Sequence, residues 1–168
     1  NNQEAYDNMV MAYNIAENKD VRLPIMICQD GFITSHAVEN IELLEDADVK
    51  NFVGEYEPED YLLNPECPMA VGPYSITDYY MEAKRNQAEG TRNVSRVVKE
   101  VAEDFEKLSG RKYGLFEEYR MEDAERVVVI IGSAAGTTKD AVDRLREQGE
   151  KVGLIKIRLF RPFPADEI

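Results

Sequence analysis

Apolar residues recur at i, i+4, i+7 and i+11 through Ala5, Met9, Ala12 and Ala16, and Tyr6, Val10 and Tyr13 widen the stripe. This spacing predicts an amphipathic helix at the start of the chain, with Asn1 and Asn2 as its available caps. Asn18-Lys19-Asp20 closes it. The apolar run over 23–28 then predicts a buried strand in which Cys28 is a packing residue. It leads into Asp30-Gly31-Phe32-Ile33-Thr34-Ser35-His36, a turn rich in Asp, Thr, Ser and His. Open α/β sheets bind ligands outside the carboxyl ends of their strands, where this turn would fall. A short amphipathic piece follows over 41–52. Residues 55–73 read as a long loop broken by Pro58, Pro65, Pro68, Gly72 and Pro73.

Ser75 or Thr77 is positioned to cap a long helix running to about Ser109. Its second half carries a stripe at Val94, Val97, Val98, Val101, Phe105 and Leu108, and Gly110 follows as the stop. Gly90 marks a place for a kink or break. The first half, with Lys84, Arg85, Gln87 and Glu89, is polar enough to face solvent or another subunit. Residues 111–120 read as an extended connector anchored by Tyr113, Phe116 and Tyr119. The unbroken β-branched run over 127–131 predicts a strand buried on both faces. A turn at Gly132-Ser133-Ala134-Ala135-Gly136 leads to a helix over 137–148, Gly149 stops it, and 152–160 forms a second strand. The result is a βαβ unit with a parallel pair and a right-handed crossover. A domain boundary is expected near Asp123. The chain opens at the foot of a helix and ends where Pro164-Ala165-Asp166-Glu167 would start another, as expected of an internal piece of a longer protein.

The formal net charge of −13 disfavours nucleic acid and anionic membranes, both of which recruit lysine and arginine. No apolar run approaches the roughly 18 residues of a membrane span. The polar opening Asn1-Asn2-Gln3-Glu4 is unlike a secretory signal, so a cytoplasmic location is expected. Cys28 and Cys67 lie far apart, which does not suit an iron–sulfur cluster or a zinc site. His36 is the single histidine, and no metal ligation is expected of it.

Two readings stay open at each candidate for chemistry. Gly132–Gly136 is either a tight strand-to-helix turn or an anion site. It lacks both the G-x-G-x-x-G spacing of a dinucleotide fold and the Gly-Lys-Ser/Thr of a P-loop. In the 30–36 turn, the contiguous Ser35-His36 is no nucleophile–base couple, because triads are assembled by folding rather than adjacency. Asp30 there either shapes the loop or belongs to a contact with a cofactor or partner subunit. The 55–73 loop, with Tyr56 and Tyr61, is an interface wrap or a lid. Arg158 and Arg161, ahead of Pro162-Phe163-Pro164, either attract an anion or cap a strand. No complete active site is present.

Taken together, several segments resemble the α subunit, or the corresponding region, of pyruvate:ferredoxin oxidoreductases and related 2-oxoacid:acceptor oxidoreductases. The matching stretches are Gln3-Glu4-Ala5, Asp30-Gly31-Phe32-x-Thr34-Ser35-His36, Gly110-Arg111-Lys112-Tyr113-Gly114-Leu115-Phe116, Asp123-Ala124-Glu125-Arg126, Gly132-Ser133 and the run from Gly149 to Phe163. The resemblance implies an α/β chain. Residues 1–122 would be the later part of a thiamine-pyrophosphate pyrimidine-side domain, and 123–168 the start of a transketolase C-terminal-like domain. It implies thiamine pyrophosphate shared with another subunit or domain. Iron–sulfur clusters and magnesium would be held elsewhere in the complex and not by this chain. The implied partners are the other subunits or domains, a 2-oxoacid (pyruvate foremost) and coenzyme A, with ferredoxin met only indirectly. The family's activating glutamate and substrate-contacting threonine and arginine fall upstream of residue 1, so no catalytic residue is expected here. Asp30, Phe32, Thr34 and His36 are expected near the cofactor. The rival reading is a non-catalytic assembly module of such a complex, and a nicotinamide-binding domain is disfavoured by the missing glycine pattern.

Overall fold

The computed structural model describes residues 1–168. Its elements are α1 (Asn2–Ala16), α2 (Ile33–His36), α3 (Asp46–Val53), α4 (Tyr80–Ser109), β1 (Phe116–Tyr119), β2 (Arg126–Ile131), α5 (Ala134–Glu147) and β3 (Val152–Ile157). Asn1 caps α1, its side-chain oxygen accepting from the Glu4 amide. The buried face is rotated from the one the alanines outline: Asp7, Val10, Met11, Ala12 and Ile15 point inward, while Met9 and Tyr13 are half exposed. The buried face is the one that meets α4, where Val10, Met11 and Ile15 lose their apolar area to packing. Val10, Met11 and Ile15 pack against Val97, Val101, Ala102 and Phe105 of α4, with Val21 closing one end.

α4 runs unbroken through Gly90 for 30 residues. The glycine serves packing rather than a kink, since a Cβ there would stand 2.6 Å from the Val21 carbonyl oxygen. The chain leaving α1 thus presses directly on the helix backbone. Gly110 ends α4 in the left-handed region at φ 71°, donating its amide to the Glu106 carbonyl. At the other end the helix starts at Tyr80 with Tyr79 as an N-cap that makes no side-chain bond, so neither Ser75 nor Thr77 caps it.

Residues 23–28 are extended but unpaired, which corrects the expected strand. A strand exists through its ladder, and no other segment of this chain lies alongside this one. Cys28 is accordingly exposed rather than packed. Residues 37–44 run along α1: the Gln3 side chain bonds both the amide and the carbonyl of Glu42, and the Tyr6 hydroxyl accepts from the Leu44 amide. Of the amphipathic piece expected over 41–52, the helical part is α3, which begins at Asp46.

The sheet has the order β1-β3-β2. β2 and β3 are parallel, pairing Val127 with Gly153 and Val129 with Ile155, and α5 joins them, so the βαβ unit is present. β1 pairs antiparallel with the other side of β3, Phe116 facing Ile157. The expected connector therefore contains a strand, and the sheet takes it from a segment before residue 123. β3 is the central strand and is buried almost throughout. β2 is a sheet edge with Val129 and Ile131 each 54% exposed, contrary to the burial expected on both faces. Its apolar run reads as a central strand, and among residues 1–168 only β3 lies beside it.

Candidate functional site

Asp30 organises the turn after residues 23–28. Its Oδ1 accepts from the amides of Phe32 at 3.2 Å and Thr34 at 2.7 Å, and its Oδ2 accepts from the Thr34 hydroxyl at 3.0 Å. These bonds wind residues 33–36 into the single turn of α2. The Ser133 hydroxyl, at the N-cap of α5, faces the same carboxylate. Ser133 first, then the Thr34 amide, lowers the Asp30 pKa to about 2.

The four expected cofactor neighbours divide into two pairs. Asp30 and Thr34 turn toward the second unit, and Thr34 lines a cleft of about 790 Å³ together with Gly132, Ser133, Lys139 and Lys156. Phe32 and His36 turn outward: their rings stack at 5.4 Å, and Phe32 is 79% exposed. The Ser35 hydroxyl lies 2.7 Å from His36 Nδ1, a local contact with no third group to orient it.

Three of the four lysine and arginine side chains that line the cleft are engaged with acids, and the fourth, Lys112, has no ion pair. Lys139 pairs with Glu117, Lys156 with Glu4, and Arg158 donates from Nε to Glu4 Oε1 at 2.7 Å. No buried side-chain nitrogen or oxygen lacks a hydrogen-bond partner. A diphosphate needs several unspent donors or a bound cation, and Lys112 alone does not supply them, so the residues of this chain do not by themselves fit the diphosphate of a thiamine cofactor.

The motif residues do meet, at a place the sequence reading did not single out. Asp7, fully buried on α1, receives Arg111 through Nε at 2.7 Å and a terminal nitrogen at 2.9 Å, and the Tyr113 hydroxyl at 2.6 Å. Arg158 stacks over the Tyr113 ring at 4.1 Å and donates to Asn8 and to the Gly114 carbonyl. It is neither an anion trap nor a plain strand cap. Burial first, then the bond to Asp7, raises the Tyr113 pKa. For Glu4 burial pushes the pKa up, but the bonds and charges of Lys156 and Arg158 outweigh it and the net shift is downward. Gln3-Glu4-Ala5, Gly110–Phe116 and the 149–163 run thereby converge on one polar junction between α1, the end of α4 and β3. A lone acid at position 7, on a stripe shared with Val10 and Met11, is the signal that would have found it.

Known proteins match along the same lines. Residues 1–103 match the family described as pyruvate flavodoxin/ferredoxin oxidoreductase, thiamine diP-bdg, and residues 124–168 match pyruvate:ferredoxin oxidoreductase core domain II. The chain belongs to the pyruvate flavodoxin/ferredoxin oxidoreductase family. It is 52% identical to a pyruvate synthase subunit PorA of Thermotoga maritima, over 99% of this chain and 43% of that protein. The PorA pyruvate synthase subunit of Pyrococcus abyssi is 46% identical over 100% of this chain and 42% of its own length. The alpha subunit of an NADH-dependent phenylglyoxylate dehydrogenase from Aromatoleum evansii is 40% identical over 99% and 42%. The chain spans about two fifths of the length of these curated relatives. No helix is long and apolar enough to cross a membrane.

Proposed function

We propose that the chain is part of the alpha subunit of a cytoplasmic, thiamine-pyrophosphate-dependent 2-oxoacid:ferredoxin oxidoreductase, with pyruvate as the 2-oxoacid. The overall reaction converts pyruvate, coenzyme A and oxidised ferredoxin to acetyl-coenzyme A, carbon dioxide and reduced ferredoxin. The observation that carries this reading is the end-to-end match, at 52% identity, to a protein named pyruvate synthase subunit. The cofactor, when bound in the whole enzyme, supplies stabilisation of the carbanion left by decarboxylation. Iron–sulfur clusters and magnesium belong to other subunits or domains in this proposal, and ferredoxin docks away from this acidic chain.

The role of this chain is positional. Asp30 holds Thr34 and the α2 turn against the start of α5, so that Asp30, Phe32, Thr34 and His36 form one face of the cofactor's surroundings, with the outward Phe32–His36 pair toward the rest of the enzyme. The polar junction fixes α1 against β3 behind that face. The boundary between the pyrimidine-side domain and the transketolase C-terminal-like domain falls near residue 123. A second reading, a related enzyme for another 2-oxoacid such as 2-oxoisovalerate, draws on the phenylglyoxylate dehydrogenase relative.

The test is anaerobic dye reduction by the intact complex, offered pyruvate, 2-oxoisovalerate and phenylglyoxylate with and without coenzyme A and thiamine pyrophosphate. Reduction dependent on pyruvate and coenzyme A is expected. Preference for another acid moves the assignment to the second reading. Silence from an assembled, cluster-containing complex leaves the family without the reaction, as the assembly-module reading would have it.

A further inference from the structure

Residues 61–81 stand apart from the rest of the chain. Every hydrogen bond they make stays within the segment or the first turns of α4, such as Asn64 Oδ1 accepting from the Glu66 and Cys67 amides. The segment is tethered at its root, where Arg22 pairs with Glu59 and Asp60, and where Gly90 of α4 meets Val21. Between these anchors the large apolar and tyrosine side chains face outward: Leu63 is 84% exposed, Tyr74 90%, Tyr79 70% and Met81 76%. Leu62 at 62% and Val71 at 64% extend the same exposed apolar surface. Pro65, Pro68 and Pro73 restrict the backbone, so less conformational freedom is lost when the segment is seated.

Charge identifies the occupant. From Lys50 to Lys84 there is no lysine or arginine between the two, while the interval holds seven carboxylates. Arg22 uses two of these, and Glu66, Asp78 and Glu82 have no ion pair. A second copy of these 168 residues carries another net charge of −13, the wrong sign to complement the segment. We propose that residues 61–81 are a docking arm that seats in an apolar groove rimmed by lysine or arginine on a different polypeptide of the same complex. The proposal rests on the reading of this chain as a subunit of a larger oxidoreductase.

Tyr74→p-benzoylphenylalanine in the intact complex, irradiated without substrate, tests it. The expected product joins this chain to a non-identical subunit at an apolar segment carrying lysine or arginine. A product joining two copies of this chain, any crosslink within the same polypeptide (to residues 30–36, as a lid would give, or to a part of the subunit outside residues 1–168), or no crosslink overturns the proposal. The doubly reversed variant Glu66→Lys/Asp78→Lys sharpens the charge argument. Its subunit is expected to dissociate at least tenfold faster at low salt, with the difference shrinking at high salt. An unchanged rate overturns the basic rim. Neither readout uses turnover, so a complex that crosslinks as expected but oxidises no 2-oxoacid removes the proposed reaction and leaves the arm.

Discussion

At the junction, Tyr113 gives its hydroxyl to Asp7 and its ring face to Arg158, whereas in the arm Tyr74 is 90% exposed and makes no hydrogen bond. Both regions combine tyrosines, carboxylates and apolar groups, so composition does not separate them. What separates them is whether the chain supplies the complement. At the junction each acid has its cation: Asp7 has Arg111, and Glu4 has Lys156 and Arg158. In the arm the acids outnumber the cations without exception, and the apolar groups have no floor to lie on. One region is thus finished by contacts within residues 1–168, and the other is not.

The strongest way to break the contrast is Asp7→Ala. It strands Arg111 and Tyr113 at a site where the acid was fully buried, and a loss of about 3–5 kcal/mol is expected in denaturant unfolding. A loss below about 1 kcal/mol would mean that water relieves the junction and that it is not closed. Next comes Gly90→Ala, where the new Cβ meets the Val21 carbonyl. Overpacking is expected to outweigh the gain in helix propensity, with a net loss of about 1–2 kcal/mol in thermal melts. A more stable variant would show that the 21–23 segment moves aside freely.

Acid sharpens the comparison further. Asp30 and Glu4 both have folded-state pKa values below their ordinary ones. A depressed carboxylate contributes its full stabilisation above its unfolded pKa and loses it as pH falls through the folded value. The acid limb of stability should therefore fall from about pH 4 toward about pH 2, and Asp30→Asn should flatten the part near the lower end. A limb of the same shape in the variant would detach Asp30 from Ser133 and Thr34. The smallest effect belongs to the arm: Tyr74→Ser or Met81→Ser should change the stability of the isolated subunit by no more than about 0.5 kcal/mol. A larger change would place these side chains against the body.

Much of this was legible where the information is local. The 3.6-residue stripe from Val94 to Phe105 marks α4, and the strand, glycine turn, helix and strand after residue 126 mark the βαβ unit. Asp30 as the shaper of its turn is one of the two readings open for it, and its bonds to Phe32 and Thr34 show that role. Pairing was not legible. Residues 23–28 are as apolar as a strand but find no ladder, while Phe116–Tyr119, with two glutamates among four residues, becomes one because β3 offers a free side. The edge position of β2 depends on that same choice. The junction was hidden for a related reason: Asp7 meets Arg111 across 104 residues and Glu4 meets Arg158 across 154, and no local pattern carries such a separation.

Hydrogen exchange of the subunit, isolated and in the assembled complex, tests the contrast most directly. Amides of α1, of the second half of α4 and of β3 should be protected in the isolated subunit and change little on assembly. Amides over 61–81 should exchange freely when isolated and gain protection on assembly. An arm already protected in isolation, or a junction protected only in the complex, would contradict the account.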